Sequence, residues 1–127
     1  MLRHVGIVVR DVATCREFYY KLGFTHARCS YERGNFIEKA LHVKNVEIEI
    51  VKLSNTDGDI IELLRVNTSQ HGVVKHSRII SPGISHIALT VSEIDPVHNP
   101  QTSPDGKVKV AFISDPEGNM IELVEEL

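Results

Sequence analysis

The sequence has no surplus of positive charge, almost no cysteine and no long apolar run, and each shortage removes a class of function. Lys and Arg number 14 against 17 Asp and Glu, a formal charge of −3, so no basic patch is available to neutralise a nucleic-acid backbone. Nucleic acid is therefore not an expected partner. Cys15 and Cys29 lack the Cys-x-x-Cys spacing, which argues against a disulfide framework or a thiolate zinc site. Both are read as small buried or half-buried hydrophobes with no redox role. The N-terminal apolar segment stops at Arg10-Asp11, well short of a signal-peptide core or the roughly 20 residues of a membrane span. The expectation is a cytoplasmic protein with no membrane partner.

What is present is a repeat. With 127 residues and 42% apolar composition the chain suits one compact domain, residues 1–127. Within it, Arg3 to Val12 aligns without a gap on Ser85 to Ile94, and Asp57-Gly58-Asp59-Ile60-Ile61-Glu62-Leu63 aligns on Glu117-Gly118-Asn119-Met120-Ile121-Glu122-Leu123. The first pair gives each copy a His, five small or apolar residues and an acidic residue before a β-branched one. The chain is read as a tandem duplication, module 1 at 1–66 and module 2 at 83–127, joined by a linker at 67–82. His4 and Glu62 lie 58 positions apart and His86 and Glu122 only 36, so the second copy is 22 residues shorter.

Periodicity assigns elements to each copy. Leu2 to Val9 is apolar enough for a strand buried on both faces. Asp11 is placed to cap a helix from Val12 to Leu22 that buries Val12, Cys15, Phe18, Tyr19 and Leu22, with Gly23 as the stop. Phe24 to Glu32 reads as a strand and Phe36 to Leu41 as a short helical turn. Val46 to Leu53 alternates, giving a strand with one wet face, and Asn55 to Gly58 turns it into Ile60 to Val66. The second copy repeats the strands at Ile84 to Val91, Val108 to Ile113 and Met120 to Glu125. Between them Pro96, Pro100 and Pro104 forbid a helix of normal length, so module 2 is expected to lack its helix.

The candidate site follows from the duplication. A single Glu in a strand such as Ile60-Ile61-Glu62-Leu63-Leu64 marks a solvent face, and a single strand His is usually a hydrogen-bonded core residue. Here both types recur at matching places on otherwise apolar strands: His4 and Glu62, His86 and Glu122. Two-fold related modules would bring them to one surface. Two carboxylates about 4 Å apart repel by about 4 kcal/mol at an effective dielectric of about 20, and a divalent cation removes that repulsion. Two nitrogens and two oxygens without sulfur suit Zn, Ni, Co, Mn or Fe. On a six-coordinate ion they leave two positions open for water or substrate.

At these residues the chain resembles the glyoxalase / bleomycin resistance / extradiol dioxygenase superfamily, also called the vicinal oxygen chelate superfamily. The resemblance rests on the opening His4-Val5-Gly6-Ile7-Val8-Val9-Arg10-Asp11-Val12, on Phe18-Tyr19-Tyr20-Lys21-Leu22-Gly23-Phe24, and on the ending Asp115-Pro116-Glu117-Gly118-Asn119-Met120-Ile121-Glu122-Leu123. It implies an α+β fold of two tandem βαβββ modules forming a curved eight-stranded mixed sheet around a metal cleft. It also implies one divalent metal on His4, Glu62, His86 and Glu122. The implied activity is a lyase or isomerase acting on a small 2-oxo, hemithioacetal or acyl-thioester substrate through an enediolate-type intermediate. Glu122 is the expected base, and Glu62 the second catalytic carboxylate.

Two features depart from family patterns. Glyoxalase I usually has an Arg four places after the first ligand His, where this chain has Val8, which argues against a glutathione carboxylate anchor. Methylmalonyl-CoA epimerase usually has Gln where this chain has Glu62. A ring-cleaving dioxygenase needs one carboxylate rather than two, and metal-free binding or resistance proteins lack such ligands, so both stand as alternatives. The missing module-2 helix would uncover Ile87, Leu89 and Val91. Either Val73, Val74, Ile79 and Ile80 of the linker or a second subunit is expected to cover them, and a homodimer is the expected assembly. His26, His42, His71, His76 and His98 receive no role, and Arg28, Arg33, Lys39 and Arg65 are read as a solvated face.

Overall fold

The computed structural model describes residues 1–68, 72, 79 and 82–127. The chain divides into two compact units, Met1–Val73 and Val74–Leu127. Among the described residues, eight strands form two four-stranded mixed sheets with the same plan. The first contains β1 (Val5–Val8), β2 (His26–Arg33), β3 (Glu47–Ser54) and β4 (Ile60–Asn67), in the order β1-β4-β3-β2. The second contains β5 (His86–Val91), β6 (Gln101–Thr102), β7 (Val108–Ser114) and β8 (Met120–Glu126), in the order β5-β8-β7-β6. In each sheet the first strand runs parallel to the last and the other neighbours are antiparallel.

The matching turns explain why the duplicated sequence gives duplicated hairpins. Asn55 accepts hydrogen bonds through its side-chain oxygen from the N–H groups of Asp57 and Asp59. Asp115 does the same for Glu117 and Asn119. Gly58 and Gly118 then sit at φ of 88° and 85°, a conformation a Cβ would strain. This fixes the register of β3 on β4 and of β7 on β8, and so decides which residues stand beside each Glu.

In the first unit α1 (Val12–Lys21) lies against β3 and β4. Asp11 caps it, accepting from the Thr14 N–H at 3.1 Å and the Thr14 hydroxyl at 2.8 Å. These bonds favour the ionised carboxyl and hold its pKa below the ordinary value. Cys15 and Tyr19 are fully buried, and Tyr19 meets Phe18 and Phe24 edge-on with ring centroids 5.0 and 6.4 Å apart. Ile7, Val51, Leu53, Ile61 and Leu63 supply the sheet side of this core; removing a side chain such as Leu63 from water contributes about 2 kcal/mol. A second short helix, α2 (Asn35–Leu41), precedes β3.

Three sequence expectations change here. The first strand is not buried on both faces: Ile7 and Val9 are buried while Val8 is largely exposed, because β1 is an edge strand. In β3 the buried side switches along the strand, from Val46 and Ile48 at its start to Val51 and Leu53 at its end. The polar residues switch in step, with Glu47 and Glu49 on one face and Lys52 on the other. Cys29 is exposed, unlike Cys15, because β2 is the opposite edge of the sheet.

The second unit has no counterpart of α1 among its described residues; Glu93 to Asn99 holds only a 3-10 turn at Pro96–His98. Ile94 itself lies over the sheet at 3% exposure. Its N–H donates to Glu125 Oε2 at 2.8 Å, and Lys109 Nζ donates to Glu125 Oε1 at 2.9 Å. Ile87, Leu89 and Val91 are then half-buried, on the same face as Ile121, Leu123 and Glu125. Ile94, a residue neither of the linker nor of a second subunit, is thus tied to this sheet through Glu125. Ile79 is exposed, and Val73, Val74 and Ile80 lie outside the described residues, as do His71 and His76.

The Ile94 N–H, and after it Lys109, holds the Glu125 carboxyl below its ordinary 4.5. A depressed pKa contributes stability that is complete above the unfolded value and lost as pH falls through the folded one. The protection factors of the amides at residues 92–98 are therefore expected to fall as pH drops below the ordinary 4.5 and through the lowered folded value, and the Glu125→Gln variant to lack that fall. Identical pH profiles for the two proteins would refute this.

Candidate metal centre

Strand register explains why each His meets its Glu. Glu62 stands opposite Gly6 on one side and Lys52 on the other; Glu122 stands opposite Ala88 and Phe112. His4 and His86 lie two residues before Gly6 and Ala88, and a two-residue step returns a strand side chain to the same face. His4 Nε2 lies 3.2 Å from Glu62 Oε2, and His86 Nε2 lies 3.0 Å from Glu122 Oε2.

Those spacings suit a metal. An ion with bonds of about 2.1 Å at right angles keeps neighbouring donor atoms about 3 Å apart, and the same distance serves a hydrogen bond when no ion is bound. Each pair therefore offers one imidazole nitrogen and one carboxylate oxygen already at chelating separation, and the donor set fits a divalent cation. Within neither unit do three His, Cys, Asp or Glu side chains gather at one point among the described residues.

The halves differ in their surroundings, and these neighbours were not singled out in the sequence. Lys52 Nζ lies 3.2 Å from Glu62 Oε1, so both oxygens of that carboxylate have a partner. In the second unit the equivalent position is Phe112, whose ring stands edge-on to His86 with centroids 5.4 Å apart. The Ser85 hydroxyl lies 2.7 Å from His86 Nδ1. It is able to donate to Nδ1 when Nε2 carries the proton, or to accept from Nδ1–H when Nε2 is a metal ligand. Arg3 occupies the corresponding position before His4. The alternation of Val46 to Leu53 breaks at Ile50-Val51 and does not single out Lys52; only the register of β3 on β4 sets it beside Glu62.

The remaining polar residues do not extend the site. His26, His42 and His98 are exposed, and Arg65 pairs with Glu49 at 3.8 Å. A groove of about 760 Å³ runs between α1 and the sheet, lined by Arg10, Arg16, Arg65, Glu17, Glu49 and Asp11 among others. It lies on the face opposite Glu62, and its arginines are matched by the three acids.

Residues 1–123 match the profile of the Glyoxalase/Bleomycin resistance protein/Dioxygenase superfamily. Among solved structures, a glyoxalase family protein from Bacillus cereus is similar with a TM-score of 0.84 at 21% identity, covering 99% of this chain and 93% of that one. A fosfomycin resistance protein from Listeria monocytogenes gives a TM-score of 0.58 at 15% identity, with 100% and 94% covered. A glyoxalase I variant from Zea mays gives 0.57 at 19% identity, covering 98% of this chain and 44% of that longer one. No curated protein of similar sequence is matched. At these identities the likeness to the solved structures is one of fold. No helix among the described residues is long and apolar enough to cross a membrane.

Proposed function

We propose a divalent-metal-dependent lyase or isomerase reaction for this chain, which belongs to the Glyoxalase/Bleomycin resistance protein/Dioxygenase superfamily, with His4, Glu62, His86 and Glu122 as the ligands. The observation that carries the reading is the recurrence of one His–Glu pair, at one register position, in two sheets of the same topology. In this reading modules 1–66 and 83–127, with their linker 67–82, act as one domain, each contributing half of the ligand set within a chain or across a homodimer.

A bound divalent ion, of Zn, Ni, Co, Mn or Fe, supplies Lewis acidity for the charge that develops on two neighbouring substrate oxygens. The protein supplies the proton transfer. Glu62 is held at both oxygens, by His4 and by Lys52, whereas Glu122 has only His86 as an ion-pair partner among the described residues. Glu122 is therefore the carboxylate with freedom to take a proton from the carbon beside the carbonyl. Returning it to the neighbouring carbon gives an isomerisation, and protonation of the opposite face of the same carbon by a second acid, for which Glu62 is the candidate, gives an epimerisation. The substrate class that fits is a small 2-oxo compound, hemithioacetal or acyl thioester.

Proton exchange tests the reading without presuming the product. Protein loaded with each metal in turn is incubated in D2O with methylglyoxal hemithioacetals of small thiols and with 2-methyl acyl thioesters, and the activated C–H is followed by NMR. Exchange that disappears in Glu122→Gln is expected. Complete absence of exchange with every metal and both substrate classes would sink the assignment.

A further inference from the structure

The two half-sites are alike in their ligands and unlike in charge. Glu62 and Glu122 occupy equivalent places, yet the residue paired with them across the antiparallel ladder is Lys52 in one sheet and Phe112 in the other. The Glu62 side chain is only 9% exposed, while that of Lys52 is 48% exposed and held at 3.2 Å. A carboxylate so far removed from water needs a positive partner. Lys52 meets that need at Oε1 with a charge that does not depend on His4 being protonated. A half-exposed ammonium on a flexible four-carbon stem is also able to swing away when another cation arrives.

We infer that Lys52 is a resident cation of the Glu62 half-site: it holds the carboxylate in the metal-free protein and yields it when a divalent ion binds. This rests on the reading of Glu62 as a ligand. The metal then has to displace the ammonium, so Lys52 lowers the affinity of the site below what its four ligands would give alone. Glu122, paired across the ladder with a phenyl ring, has no such competitor among the described residues. Lys52 thus tunes metal occupancy and keeps the empty half-site ordered.

The test is a Co2+ titration of the whole chain, followed by calorimetry and by the visible absorption of the bound ion. Lys52→Met removes the charge at similar length, Lys52→Arg keeps it, and Lys44→Met removes a charge from an exposed position before β3. Lys52→Met is expected to bind Co2+ about three- to tenfold more tightly than the natural protein, with the other two variants near it. Without metal Lys52→Met is expected to melt lower than the natural protein, and the gap to narrow at saturating Co2+. Equal Co2+ affinity in Lys52→Met and the natural protein, or an equal gain in Lys44→Met, overturns the inference and leaves the ligand set intact. Failure of Co2+ to bind any of the four proteins removes the ligand assignment and the inference with it.

Discussion

Protein purified with Ni2+ or Co2+ is expected to hold about one ion per assembled four-ligand site, and the Glu122→Gln variant to lose it. Glutamine preserves the shape of the side chain but not the charge. The variant then has a single carboxylate to balance a divalent ion, and one weaker oxygen donor. Changes to residues that merely orient a ligand typically reduce metal affinity 10- to 100-fold, so a change to a ligand itself is expected to reduce it about a hundredfold or more. Stability gives a second readout. An ion at about 100 times its dissociation constant stabilises the folded state by about 2.7 kcal/mol, and this increment should vanish on chelation of the natural protein and be missing from the variant. Elemental mass spectrometry and thermal melting before and after chelation measure both. Stoichiometric metal in Glu122→Gln would move the site elsewhere. No metal in either protein, with no melting response to any of the five ions, would make the four residues a relic and the chain a ligand-binding module.

The second large effect is expected far from any ligand, in Ile94→Ala. Ile94 aligns with Val12, the first residue of α1, so it stands where the second copy would begin its helix. Pro96, Pro100 and Pro104 together forbid a helix of normal length there, and Ile94 is nonetheless 3% exposed with its N–H bound to the buried Glu125. Truncation would open a cavity over the sheet face of Ile121 and Leu123, and such changes destabilise by about 2–5 kcal/mol. The lower half of that range is expected, since an irregular segment collapses into a void more readily than a helix does. Ile94→Val should lose about 1 kcal/mol. Urea unfolding measures both. A loss below about 0.5 kcal/mol for Ile94→Ala would mean that the linker or a second chain provides the cover instead.

Much of the candidate site was legible because it is local and repeated. Each His precedes a small residue by two positions, each Glu follows a turn opened by Asn55 or Asp115 and closed by Gly58 or Gly118, and those spacings recur in both copies. The turns set the hairpin registers through Asn55 and Asp115, and the parallel pairing of β1 with β4 and of β5 with β8 completes the approach of His to Glu. The helix α1 was equally plain from Asp11 and the apolar spacing of Cys15, Phe18, Tyr19 and Leu22. The missing helix of the second copy was announced by Pro96, Pro100 and Pro104. By itself the sequence therefore determined the duplication, seven of the eight strands and the matching His and Glu positions, but not the two-residue β6 among the prolines.

The tertiary structure decided what those pairs are surrounded by. That Lys52 rather than a neutral residue stands on Glu62, and Phe112 on Glu122, depends on which residues of separate strands become register partners. A one-residue slip would place every side chain on the other face. That Val8 and Cys29 are exposed depends on β1 and β2 being edge strands, a property of strand order and not of either strand's composition. That Ile94 is core depends on where an irregular segment crosses the sheet, for which periodicity carries no signal. Local spacing is written in the chain, whereas cross-strand neighbours, edges and cover arise only when distant segments meet.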